Sequence, residues 1–193
     1  MPQSVARWVL TDSQNSSTPS RVLDRSEGQP RDVVEVLLDA HIEARQMVTM
    51  AESLSTGSAT CAAKQTAIAI SDHVRWMLPL HWDDEENSLL PRLLGKHRVV
   101  DDALAKMKRQ HIALDAPLAR LKLMCTVLSR DISRLHALRF ELAAAAKDLK
   151  ERLAEHHALE ESIVFPALKK LLYVDELEVI QNEMRERRVS VAA

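Results

Sequence analysis

Glycine, cysteine and aromatic residues are all scarce in this chain, which has three glycines, two cysteines and 3% aromatics among its 193 residues. So little turn-forming and strand-filling material argues against a sheet and for helices. The abundant residues agree: Ala, Leu, Arg, Glu and Lys are good helix formers, and 46% of the chain is hydrophobic. No apolar run is long enough to span a bilayer, and the opening MPQSVARWVLTDSQNSS lacks the apolar centre of a secretory signal. Charge of one sign is missing too. With 26 basic against 28 acidic residues and no long basic cluster, nothing recommends nucleic acid or an anionic membrane as a partner. Cys61 and Cys125 lie far apart and form no CxxC pair, so they read as two buried free thiols in a reducing compartment. A cytoplasmic protein is expected, with length for one substantial core.

Hydrophobic periodicity divides the chain. Residues 1–30, rich in Ser, Thr, Asn, Gln, Pro and Gly, read as a flexible or surface-draped arm that includes Trp8. From Asp32, Val34, Leu37, Leu38, His41, Val48 and Ala51 share a helical face that Gly57 closes. A second helical region covers about 60–94 and ends at Gly95. A third, about 97–129, aligns Leu104, Met107, His111, Leu114 and Leu118. A fourth, about 132–171, aligns Leu149, Leu153, His156, Ile163 and Val164. Pro79 and Pro117 fall inside these stretches, where kinks or breaks are expected. The segment 173–193 reads as a short helix and tail, with Asp175 capping, Glu178 reaching back and Leu177, Ile180 and Met184 forming a docking stripe. Four long helices with short connections predict an all-α chain, an antiparallel up-down four-helix bundle over 31–172.

Two segments then stand out. HWDDEENSLLP at 81–91 and HHALEESIVFP at 156–166 both read H-x3-E-E-x4-P, offset by 75 residues. Residues four apart on a helix share a face, so His81 with Glu85, and His156 with Glu160, each aim an imidazole and a carboxylate one way. That way is inward, because His81 continues the stripe of Val74, Met77 and Leu78, and His156 that of Leu149 and Leu153. A carboxylate facing an apolar core is costly unless paired or bound to a cation, and only Arg45, Lys108 and Arg152 lie on the flanks. His41 and His111 occupy matching stripe positions on the other two helices. The set His41, His81, Glu85, His111, His156 and Glu160 exceeds one tetrahedral zinc and suits two metals bridged by carboxylates. Imidazole and carboxylate donors without thiolate favour iron, with manganese or zinc as alternatives. The acid-first Glu-x-x-His step of ferritin-like bundles is absent.

The remaining polar residues receive blander readings. Glu86 and Glu161 lie about 100° round the helix from their neighbours and are expected on the flanks. His157 is read as exposed or as supporting a ligand, and Asp115 as solvated or accepting an imidazole N–H. Trp82 is expected at a helix seam, Asp83 and Asp84 in solvent. His73, His97 and His136 have no partner pattern.

These residues resemble the hemerythrin-like, or HHE cation-binding, family, specifically its bacterial members. His41 in LLDAHIEA, HWDDE followed by SLLPRL, QHIALD, and HHALE followed by VFPAL match its pattern in turn, over roughly 32–172. The resemblance implies an antiparallel four-helix bundle around a non-haem di-iron centre with Glu85 and Glu160 as bridges. Two departures bear on function. Oxygen-carrying members have His-x3-His on the third helix, where His111 is here followed by Asp115; their last His-x4-Asp pair is replaced by His-x3-Glu. More carboxylate and less imidazole favours ferric iron. The resemblance therefore points to sensing of oxygen, peroxide or nitric oxide, or to iron handling, rather than reversible oxygen carriage. Two alternatives stay open: a di-iron enzyme with peroxide-decomposing or ferroxidase-like activity, and a metal-free helical interaction protein. A homodimer or a signalling partner is compatible with either.

Overall fold

A computed structural model of the chain describes residues 32–192. Among them there are five helices and no strand. Helix α1 is Val33–Thr56, and Asp32 caps it by accepting the Val34 N–H at 3.1 Å. Helix α2 is one continuous rod: Cys61–Asp72, a wide π turn His73–Met77, Leu78–Asp84, a second wide turn Glu85–Leu89, and Leu90–Leu93. It ends at Gly95, whose φ of 81° is the left-handed value that a helix exit takes most cheaply with glycine. Helix α3, Arg98–Arg130, is capped by the ring of His97, which accepts the Val99 N–H. After a 3-10 turn at Ile132–Arg134, α4 runs through Leu135–Leu159, a wide turn Glu160–Val164, and Phe165–Leu171. Helix α5 is Val174–Ala192.

Helices α1 and α3 each pack on both α2 and α4, and α5 lies across α1 and α2. The pairs His41–Glu161 and Glu52–Lys150 run α1 and α4 in opposite directions. Glu86–His111 and Ser71–Thr126 do the same for α2 and α3. No helix of the described residues is long and apolar enough to cross a membrane.

The wide turns follow from the spacing of buried residues. An α-helix advances about 100° per residue, so each four-residue step overshoots by about 40°. Ile70, Val74 and Leu78, then His81, Glu85, Leu89 and Leu93 on α2, are all buried. So are His156, Glu160, Val164 and Leu168 on α4. Without correction, three such steps would swing Leu93 or Leu168 about 120° out of the core. One extra residue in a wide turn takes most of that back. Each wide turn also closes on the residue before a proline: Leu78, Leu90 and Phe165 donate to the carbonyls five residues back, immediately ahead of Pro79, Pro91 and Pro166. The proline has no N–H, and its ring would crowd the carbonyl four residues behind it, so this is where a wide register costs least. On α3 the buried steps alternate three and four (His111, Leu114, Leu118, Leu121, Cys125, Leu128), which an ordinary helix satisfies.

Two expectations are corrected here. Of the kink or break expected at Pro117, no break occurs, and α3 runs through it as one helix. Helix α5 is 19 residues long rather than short, and its start is closed by Glu176, which accepts the Tyr173 N–H at 2.8 Å, not by Asp175 and Glu178. The stripe itself holds: Ile180 and Met184 are buried and Leu177 packs beside them. The arm expected over 1–30, with Trp8, lies outside the described residues.

Apolar burial forms two clusters rather than one. The first gathers Ala44 to Leu54, Ala67 to Leu78, Leu114 to Leu128 and Leu135 to Leu153. The second gathers Val33, Leu37, Leu89, Leu93, Val100 to Met107, Val164 to Leu172, Ile180 and Met184. Each of α1–α4 passes from one cluster to the other, and the residues at the crossing are polar.

Replacing Pro117 by Ala restores a donor to the Ala113 carbonyl and is expected to stabilise the chain by up to about 3 kcal/mol. That is about 2–4 °C of Tm per kcal/mol at this size. Pro79→Ala should gain much less, since the buried spacing still demands the wide turn. Equal gains in thermal unfolding followed by circular dichroism would contradict this account of the wide turns.

Candidate metal centre

The residues at the crossing are the six singled out by spacing. His41 lies between Leu37 and Ala44 on α1, His111 between Met107 and Leu114 on α3. His81 and Glu85 lead into the second wide turn of α2, His156 and Glu160 into that of α4. All six are buried, with Glu85 and Glu160 at 0% exposure. They form two four-residue groups that share both acids: His41, His81, Glu85 and Glu160; and Glu85, His111, His156 and Glu160. Glu85 sets Oε1 3.1 Å from His81 Nε2 and Oε2 3.2 Å from His111 Nε2. Glu160 repeats this, with Oε2 3.1 Å from His41 Nε2 and Oε1 3.2 Å from His156 Nε2.

These short approaches are not hydrogen bonds. The four Nε2 atoms and four carboxylate oxygens have no hydrogen-bond partner among the described residues, although all are buried. The donor atoms of each group all lie within 4.8 Å of one another. Donors held about 2.1 Å from one ion at right angles would lie about 3 Å apart, which is the spacing seen. The buried groups could hold a metal ion, and the unpartnered atoms give a physical reason to expect one.

The outer nitrogens of two of the rings, His41 and His111, tell the same story. His41 Nδ1–H donates to Glu161 Oε1 at 2.8 Å, and His111 Nδ1–H donates to Glu86 Oε1 at 2.7 Å. An ionised carboxylate on Nδ1 fixes the tautomer that leaves an Nε2 lone pair facing inward. Glu161 is itself bonded by Arg45 at 3.0 Å, and Lys108 lies 3.8 Å from Glu86. Arg152 is spent on Asp148. None of the three flanking cations reaches Glu85 or Glu160.

Burial sets the protonation states. It lowers His41 to about 4 and His156 to about 2, and it lowers His81 well below the usual imidazole value, so these rings are neutral at pH 7. His111 moves the other way: burial works against its charge, but Glu85 and Glu86 outweigh it and raise the ring. Burial raises Glu85, against the pull of His111, and raises Glu160 well above a normal carboxylate, with the charge of Glu85 adding to it. Without a cation, the two acids resist ionising together.

Some of the blander readings hold, and others need correcting. Glu86 and Glu161 sit on the flanks as expected, but each also grips the histidine of the adjacent helix; their repetition in register was the signal. His157 is buried and stacks on His41 with ring centroids 3.8 Å apart, so it supports a candidate ligand rather than facing solvent. Trp82 stacks on His111 at 4.7 Å from the equivalent position on α2. Asp84 is fully buried and ion-paired, not solvated. Asp115 is exposed. Of the two thiols Cys125 is buried, which pushes it up to about 12, but Cys61 is exposed at the start of α2.

No protein-family model matches the chain, and no curated protein matches it either.

The raised acids carry a stability prediction. A carboxylate whose value is raised by folding stabilises the metal-free protein below the unfolded value, and that contribution is lost as pH rises through the folded one. Metal-free Glu160→Gln should therefore melt above metal-free wild type by a few degrees at pH 8, with the gap closing towards pH 4. A gap that is absent, or that widens on acidification, would show that Glu160 carries no such penalty.

Proposed function

We propose that this chain is a non-haem di-iron protein of the hemerythrin-like type, an antiparallel four-helix bundle overlaid by α5. The observation that carries the reading is the set of eight buried donor atoms without hydrogen-bond partners, in two groups sharing Glu85 and Glu160. In this reading His41 and His81 hold one ion, His111 and His156 the other, and both acids serve both. Four donors per ion fall short of a six-coordinate iron, which leaves room for a small ligand. Two iron ions would supply redox chemistry towards oxygen, peroxide or nitric oxide. Glu86, Glu161 and the stacked His157 and Trp82 hold the His41 and His111 imidazoles in place, while the two apolar clusters keep water from the layer between them.

Sensing of these small molecules, or iron handling, fits better than reversible oxygen carriage. The position four residues after His111 is the exposed Asp115, so α3 brings one imidazole inward rather than two. An open surface cleft of about 310 Å³ between α3 and α4 is lined by Lys106, Arg109, Arg152 and Gln110. Gln110 stands between it and His156, with Oε1 3.4 Å from Nδ1.

Protein produced in iron-replete cells is expected to carry about two irons per chain, from the two donor groups, with near-ultraviolet charge-transfer absorption. Both should be lost in Glu85→Ala, Glu160→Ala. Iron no higher in wild type than in that variant, even after anaerobic reconstitution, would rule the reading out. Substituting Glu161 or Glu86 by Gln should preserve the fold but weaken iron binding by about 10–100-fold, the usual effect of removing a carboxylate behind a ligating histidine. Equilibrium competition with a chelator measures it.

A further inference from the structure

The two copies of H-x3-E-E-x4-P agree at the histidine, both glutamates and the proline, and differ where α5 comes near. Asp83, Asp84, Ser88 and Arg92 on α2 correspond to Ala158, Leu159, Ile163 and Ala167 on α4. All four α2 residues bond to α5. Arg187 Nη1 donates to Asp84 Oδ1 at 2.8 Å and Arg188 Nη2 to Asp84 Oδ2 at 2.8 Å. Arg187 also reaches Ser88 Oγ at 2.7 Å and pairs with Asp83 at 3.0 Å. Arg92 bonds both oxygens of Glu183, at 2.7 and 3.1 Å, and Ser88 donates to the same carboxylate. Asp84 and Ser88 are both at 0% exposure, so this ionic clasp has a buried anchor on α2 and half-buried arginines on α5. Its anchor points bracket Glu85 and lie on or beside the wide turn that Glu85 opens.

Two half-buried arginines on a fully buried carboxylate are an expensive way to dock a helix that Ile180 and Met184 already hold by apolar contact. The α4 copy performs the same ligand geometry with leucine, isoleucine and alanine at these places. The clasp is therefore not needed to make the motif; it ties one specific helix to one specific copy of it.

We infer that α5 is coupled to the metal centre through this clasp, with Asp84 and Ser88 as positioning residues that transmit the setting of Glu85 to Arg187 and Arg188. The inference rests on the metal reading above and adds its regulation: ion binding at Glu85 tightens α5, and loss of the ion loosens it. Linkage makes the effect reciprocal, so an intact clasp strengthens ion binding. Helix α5 is thereby the element that reports occupancy to the outside. On α4 the equivalent turn at Glu160 carries no such connection.

The test is amide hydrogen exchange of the full chain, metal-free and loaded with iron(II) under argon, with iron affinity measured alongside. Iron is expected to slow exchange in 180–190 and in 85–90. Arg187→Gln, Arg188→Gln should abolish the α5 response and weaken iron binding by at least about fivefold, the lower end of ordinary coupling. Asp84→Asn, a milder change that keeps one acceptor, should do both to a smaller degree and covers the case in which the double variant fails to fold. Wild type that binds iron while α5 exchange stays unchanged would overturn the coupling alone. So would folded variants whose iron affinity stays within twofold of wild type. Wild type that binds no iron would overturn the metal reading and the coupling together.

Discussion

The constraint on which the rest of the structure depends is the burial of two carboxylates in an otherwise apolar interior. Glu85 and Glu160 are placed within reach of four imidazoles and, among the described residues, of no lysine or arginine. Left to themselves, their charges would be raised out of existence or would force the bundle open to water. Everything nearby is arranged around that cost. Two apolar clusters close the layer from above and below, three of the rings are kept neutral by burial, and the cations stop one layer out, on Glu86 and Glu161. Such an arrangement carries a burial cost, and its grouped donors could hold a cation.

The backbone answers the same demand. Ligand and core residues recur at four-residue steps along α2 and α4, a spacing that an α-helix cannot keep on one face. The helices absorb the mismatch in wide turns beginning at Glu85 and Glu160, each fixed ahead of a proline. Helix α3 contributes a single imidazole and keeps ordinary spacing, so it accommodates Pro117 without a wide turn. Local irregularity and candidate site coincide because both come from the same side chains.

The opening acid run of HWDDEENSLLP divides by direction. Glu85 turns into the donor layer, Glu86 reaches His111 on the next helix, and Asp83 and Asp84 turn to the arginines of α5. Three of the four adjacent carboxylates meet a positive or hydrogen-donating partner, Arg187 serving both aspartates and His111 serving Glu86, while Glu85 alone has none among the described residues. Sequence spacing could assign Glu85, since its companion His81 repeats at 156. It could not assign Asp84, whose partners lie about a hundred residues away on a helix that only packing brings alongside.

The sequence by itself determined the helical character, the helix limits to within a few residues, and the six candidate donors, because periodicity and an internal repeat are local properties of a chain. It also held the signs of the wide turns, in the four-residue steps and the prolines that follow them. Only the tertiary structure decided what lies behind the donors: Glu86 on His111, Glu161 on His41, His157 stacked against His41, and α5 clasped to one copy of the motif. Those contacts join residues far apart in sequence, and no spacing along one helix encodes which face of another will meet it.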